Sequence, residues 1–103
     1  MTVRVVIIHR LAGRELRRAA RRYGATSPAR EQRFRAAVGQ ALQRIATAAD
    51  LCPPWRRRFR WVKPHKFSYT IYFQILSDAE AIVWAVAPDG RRPGYWLGRV
   101  RRP

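Results

Sequence analysis

The spacing of apolar residues changes once along this 103-residue chain, at Cys52-Pro53-Pro54, and that change sets the fold. Before it, apolar side chains recur every three or four residues, the period of a helix with one buried face. After it they alternate, the period of a strand. Two consecutive prolines cannot continue a helix, so the boundary between the two regimes is sharp.

In the helical half, Leu11, Ala12, Leu16, Ala19, Ala20 and Tyr23 form one stripe, and Arg14, Arg17, Arg18, Arg21 and Arg22 fill the opposite face. Gly24 is expected to close this first helix in the left-handed conformation. Ser27-Pro28 then reads as an N-cap followed by a proline at the first helical position, where the missing N–H costs nothing. Phe34, Val38, Ala41, Leu42, Ile45 and Ala48 carry a second helix of about five turns toward Asp50. Two amphipathic helices so close in sequence form a hairpin.

In the alternating half, Trp55 to Lys63 reads as a strand, with Phe59 and Trp61 on one side and Arg58, Arg60 and Val62 on a wet one. Phe67, Tyr69, Ile71, Phe73 and Ile75 mark a second strand, and Ser77-Asp78 a tight turn. Glu80 to Ala87 is apolar on both sides, as a central strand is. Pro88-Asp89-Gly90 turns the chain again. At the other end, Val5 to Ile8 reads as a buried strand that pairs at an edge or beside one of the others. The expected architecture is α+β in two layers: an N-terminal strand, a helical hairpin, then an antiparallel three-stranded meander, all strands in one sheet of three to four covered on one face. Residues 1–103 show no internal repeat or linker, so one domain is expected.

Charge speaks to partners rather than fold. Twenty-two cationic residues, all arginine except Lys63 and Lys66, face six acids, for a formal net charge of +16. Such a chain seeks a polyanion: nucleic acid, an acidic protein or an anionic membrane. The N-terminal apolar run is too short for a secretory signal or a membrane span. The lone Cys52 excludes an internal disulfide and suits a reducing cytoplasm.

Conventional catalysis is poorly supplied. Glu15, Glu31, Asp50, Asp78, Glu80 and Asp89 are scattered, His9 and His65 lie far apart, and no spacing suggests a metal site or a phosphate loop. No metal and no cofactor are expected. What stands out is a mixture of cations and rings: Arg56, Arg57, Arg58, Arg60, Lys63, Lys66, Arg91, Arg92, Arg99, Arg101 and Arg102 interleave with Trp55, Trp61, Tyr95 and Trp96. That mixture suits nucleic acid, with cations on phosphates and rings on bases. Trp61 and Trp84 are expected in the core. Arg56, Arg57, Arg58 and Arg60 are candidates for a nucleic-acid or acidic-partner surface.

The segment from His65 to Arg99, HKFSYTIYFQILSDAEAIVWAVAPDGRRPGYWLGR, resembles the RelE/ParE toxin superfamily, also described as plasmid-stabilisation proteins. FSYTIYF resembles that family's Phe-Pro-Tyr-x-Ile-x-Tyr strand, and RRPGYWLGR its His-x-Arg-Arg-x-Pro-x-Tyr-Trp ending. Ser68 replaces a common proline, and Asp89 a frequent histidine that could have carried a proton. The element order agrees over essentially the whole chain. The resemblance implies the toxic half of a type II toxin–antitoxin pair, neutralised by a cognate antitoxin in a hetero-oligomer. The antitoxin is expected on the helix face carrying Arg14, Arg17, Arg18 and Arg21. ParE-like members poison DNA gyrase without catalytic residues, and RelE-like members cut messenger RNA on the ribosome. For the first branch, which is preferred, Arg91, Arg92, Tyr95, Trp96 and Arg99 form the target contact. For the second, Arg60, Lys63, Lys66, Arg91 and Tyr95 supply the chemistry. A plain RNA-binding or ribosome-associated module is the competing class.

Overall fold

A computed structural model describes residues 3–100; Arg101 and Arg102 lie outside the described residues. Ser27 caps a helix as its sequence demands, its hydroxyl accepting the Arg30 N–H at 3.1 Å with Pro28 in the first turn. That helix, α2, spans Pro28–Ala48 and ends in a single 3₁₀ turn, Ala49–Leu51. The preceding helix, α1, spans Arg10–Gly24, with His9 Nδ1 accepting the Leu11 N–H at its start. Gly24 does not adopt the expected left-handed conformation; positive φ among glycines occurs at Gly90 and Gly94. A Cβ at Gly24 would meet the end of the Glu31 side chain of α2, which would have to turn aside.

Five strands form one mixed sheet in the order β1-β5-β4-β3-β2: β1 Val5–Ile8, β2 Pro54–Trp55, β3 Phe59–Val62, β4 Tyr69–Ile75 and β5 Glu80–Pro88. Strands β2 to β5 are antiparallel neighbours, and β1 runs parallel to β5. The expected three-stranded meander therefore gains a strand. Trp55 to Lys63 is not one strand but a small hairpin, turned over Arg56, Arg57 and Arg58, with Arg56 at φ 57°. No glycine, asparagine or aspartate marks that turn, which is why alternation alone misread it.

Nor is β1 buried. It is an edge strand with one neighbour, and Val3 and Val5 are about two-thirds exposed, at 64% and 65%. An edge strand is covered only where a helix reaches it, and Val6 alone of this run packs on the main core.

The sheet is covered on both faces. On one face α1 and α2 bury Ala12, Ala19, Phe34, Val38 and Ile45 against Val62, Ile71, Phe73 and Val83. On the other, the chain after β5 folds back and lays Trp96, 0% exposed, against Phe59 and Ala85. Its ring lies 4.9 Å from Phe59, 5.1 Å from Tyr72 and 5.2 Å from Trp55, between centroids, distances at which aromatic pairs attract. The expected wet face of β3 is therefore not wet, since Phe59 and Val62 are buried on opposite faces. Gly94, at φ 77°, starts this return; a Cβ would approach Leu97 and Trp55 to 3.0 and 3.3 Å.

A bulge explains the lost alternation in β5. Phe73 pairs with Val83 and Tyr72 with Ala85, so Trp84 is an extra residue. The bulge lets Trp84 and Ala85 both join the tail-side cluster while Val83 and Val86 keep to the helix side. Trp61 and Trp84, expected in the core, are only half-buried. The fully buried tryptophan is Trp96.

Candidate functional site

β1 is short, and its absence further along creates the site. The chain leaves β5 after His9 N–H donates to the Val83 carbonyl at 2.9 Å, and turns into α1. The next open groups on β5 are therefore met by side chains. Glu15 of α1 accepts the Val86 N–H at 3.0 Å, and Arg99 donates to the Trp84 carbonyl at 3.0 Å. The two side chains also pair with each other through both nitrogens, at 2.9 and 2.8 Å, and Tyr95 donates its hydroxyl to Glu15 at 2.5 Å. A carboxylate and a guanidinium thus stand where a neighbouring strand would have been, and they tie the returning tail to α1 and β5.

The electrostatics follow from these bonds. Burial pushes the Glu15 carboxyl up, but hydrogen bonds from Arg99, Tyr95 and the Val86 N–H outweigh it and hold the group below the usual carboxylate range. Tyr95 moves oppositely, pushed well above an ordinary phenol by burial and by its bond to Glu15. Its proton is held.

Over this pair runs a groove of about 480 Å³, walled by α1 and the returning tail. Arg14, Arg17, Arg18 and Arg21 of α1 face Arg91 and Arg99 of the tail across it. Arg14, Arg17, Arg18, Arg21 and Arg91 are exposed, and none pairs with a carboxylate among the described residues. Arg91 is held over the Tyr95 ring, its guanidinium carbon 3.9 Å from the centroid. The four residues expected to meet an antitoxin therefore share one groove with Arg91 and Arg99, two of the five expected to meet a target.

The remaining expected site residues scatter. Trp96 is buried beneath the tail and cannot present its ring to a target; its indole fills the space between Trp55, Phe59 and Tyr72. Arg92 is exposed and borders a separate cavity of about 230 Å³, with Tyr72, Asp89 and Tyr95. Lys63 is held by both Asp89 oxygens at 2.8 Å and by Thr70 at 3.1 Å. Arg60 donates to the Cys52 carbonyl at 2.7 Å, closing the end of α2 against β3. Lys66 lies in another hollow, beside Arg30, Arg33 and His65. Arg57, Arg58 and Arg60 line a further groove near the β2 edge, and Arg56 stacks on Trp55 at 4.4 Å.

Other chemistries find no support. Cys52 is buried, burial pushes its thiol up, and its Sγ points to the Ala48 carbonyl at 3.7 Å. Among the described residues no three His, Cys, Asp or Glu side chains gather as metal ligands would, and no helix is long and apolar enough to cross a membrane. Sequence reading missed Glu15, counting it among scattered acids. The available signal was its place four residues from both Leu11 and Ala19, on the apolar stripe of α1.

Comparison with known proteins agrees with this geometry. No curated protein matches the chain significantly. The family model described as the ParE toxin of the type II toxin–antitoxin system, parDE, matches residues 6–93, from β1 through β5 to the turn before Tyr95. Since that span holds both helices, the whole sheet and one wall of the arginine groove, the chain belongs to the ParE toxin family of type II toxin–antitoxin systems.

Proposed function

We propose that this toxin inhibits DNA gyrase by binding, without chemistry of its own. The observation that carries the reading is the state of Tyr95. A tyrosine serving RNA cleavage must reach the attacking 2'-OH or the leaving 5'-oxygen, whereas this hydroxyl is turned inward onto Glu15 with its proton held. The other residues the nuclease reading needs are spent or dispersed. Lys63 is neutralised by Asp89, Arg60 is bound to a main-chain carbonyl, and Lys66 belongs to a different hollow. Arg91, Arg92 and Arg99, with the α1 arginines, remain as a contact surface.

The family implies a cognate antitoxin. An acidic antitoxin segment along Arg14, Arg17, Arg18 and Arg21 would cover the same groove, so neutralisation would follow from occupancy. The proposed setting is the cytoplasm, with the full chain acting as a single toxin domain and the hetero-oligomer as its resting form.

Expressing the chain without an antitoxin is expected to arrest growth and to accumulate double-strand DNA breaks, with messenger RNA intact. Unimpaired growth at high expression would sink the proposal. So would growth arrest accompanied by messenger RNA cut on translating ribosomes, which is the RelE-like outcome.

A further inference from the structure

We propose that the groove between α1 and the returning tail binds the phosphodiester backbone of duplex DNA directly, so that the toxin grips the nucleic acid as well as the enzyme that holds it. The inference deepens the gyrase reading and rests on it for the choice of duplex DNA as partner.

Composition of the groove is the first argument. Among the described residues six guanidinium groups line it, and the one carboxylate, Glu15, is spent on Arg99, Tyr95 and the Val86 N–H. Leu11 is the one apolar side chain on its wall. A protein segment docked here, an acidic antitoxin included, would have to rely on charge, because the groove offers almost no apolar or aromatic anchor. A phosphodiester backbone needs none, because its binding is driven by cations that displace condensed counterions.

Spacing is the second. Arg14, Arg17, Arg18 and Arg21 follow the helical rows of i+3, i+4 and i+7 and form a ladder about 10 Å long at 1.5 Å per residue. One DNA strand presents a phosphate about every 3.4 Å of axis but winds round that axis, so the ladder reaches about two consecutive phosphates. Arg91 closes the opposite wall, its guanidinium fixed on the Tyr95 ring and that ring fixed by Glu15. Its position is therefore set before any ligand arrives, which lowers the entropy lost on binding. The apolar edge of β1, with Val3, Val5 and Ile7 exposed, lies outside the groove and leaves a protein partner its own surface.

The test is a titration of the full chain against a short fluorescent DNA duplex, read by anisotropy over a series of salt concentrations, with no gyrase present. Five unpaired arginines predict a slope of log affinity against log salt of about −4.5, and Arg14→Gln/Arg18→Gln/Arg21→Gln should make it shallower by about 3, with affinity at low salt falling more than tenfold. The charge-matched triple Arg33→Gln/Arg35→Gln/Arg44→Gln, on exposed positions of α2, should change affinity about twofold. These positions are solvent-exposed, and far-UV circular dichroism checks that both variants keep their helices. Equal losses in the two triples would show diffuse attraction by net charge and overturn the groove. Tighter binding of single-stranded RNA than of duplex DNA would overturn it too, as would capture of a poly-glutamate peptide with no measurable DNA binding. Because gyrase is absent, failure here leaves the gyrase reading standing, and DNA binding without gyrase inhibition would fault that reading alone.

Discussion

Trp96→Ala is expected to destabilise the domain by about 4 kcal/mol, the range for emptying a tryptophan-sized space in a core that cannot collapse. For a chain of this size that is a large share of the whole, since small domains are stable by about 5–15 kcal/mol. The ring is 0% exposed and is the piece that fastens the tail to the second face of the sheet, against Trp55, Phe59 and Tyr72. Losing it releases Tyr95 and Arg99 as well, so the groove loses a wall. Among the described residues the indole N–H has no hydrogen-bond partner, so Trp96→Phe removes no such bond and should cost only about 1–2 kcal/mol. Urea denaturation followed by far-UV circular dichroism measures both. A loss below about 1 kcal/mol for the alanine variant would mean that the tail is not packed on the sheet.

Glu15→Ala is the second large effect, at about 3 kcal/mol. Glu15 and Arg99 retain only 18% and 14% of their side-chain exposure, and removing one member leaves the other charge, the Tyr95 hydroxyl and the Val86 N–H without their partner. In a double-mutant cycle, Glu15→Ala/Arg99→Ala should cost less than the sum of the single changes by about 1–3 kcal/mol, because the second deletion removes a charge already orphaned. Additive losses would deny the coupling.

The same carboxylate predicts a pH dependence. Its folded pKa lies below the unfolded value of about 4.3, so its contribution is complete above that value and is lost as pH falls through the folded one. Wild type should therefore lose stability between about pH 5 and pH 2 more steeply than Glu15→Gln, and parallel curves would contradict the assignment.

The helices were legible because local signals and packing agree in them: Ser27 and Pro28 mark the cap that forms, and the apolar stripes are the faces that bury. Strand β4 was legible for the same reason, its alternation reporting a sheet with two different coverings. What escaped was long-range. A bulge at Trp84 depends on the register of a strand 10 residues away in sequence, so no local pattern announces it. Trp96 follows a proline and a glycine in a basic tail, which locally resembles surface; only the aromatic row across β2, β3 and β4 makes it core. Likewise the arginines of α1 and of the tail, at least 70 residues apart, form one groove because Glu15 joins Arg99 across the fold. The family resemblance rested on the closing Arg91-Arg92-Pro93-Gly94-Tyr95-Trp96 segment, yet its aromatic pair turns out to fasten that segment down, while the arginines stay outside.

The most direct test of the whole account is a supercoiling assay with purified DNA gyrase, run beside translating ribosomes, using wild type and Tyr95→Phe. Binding without chemistry predicts loss of supercoiling with trapped cleaved DNA in wild type. Tyr95→Phe should retain that activity, since it removes an inward-facing hydroxyl and keeps the ring on which Arg91 rests. Undisturbed supercoiling, together with messenger RNA cleavage that disappears in Tyr95→Phe, would contradict it.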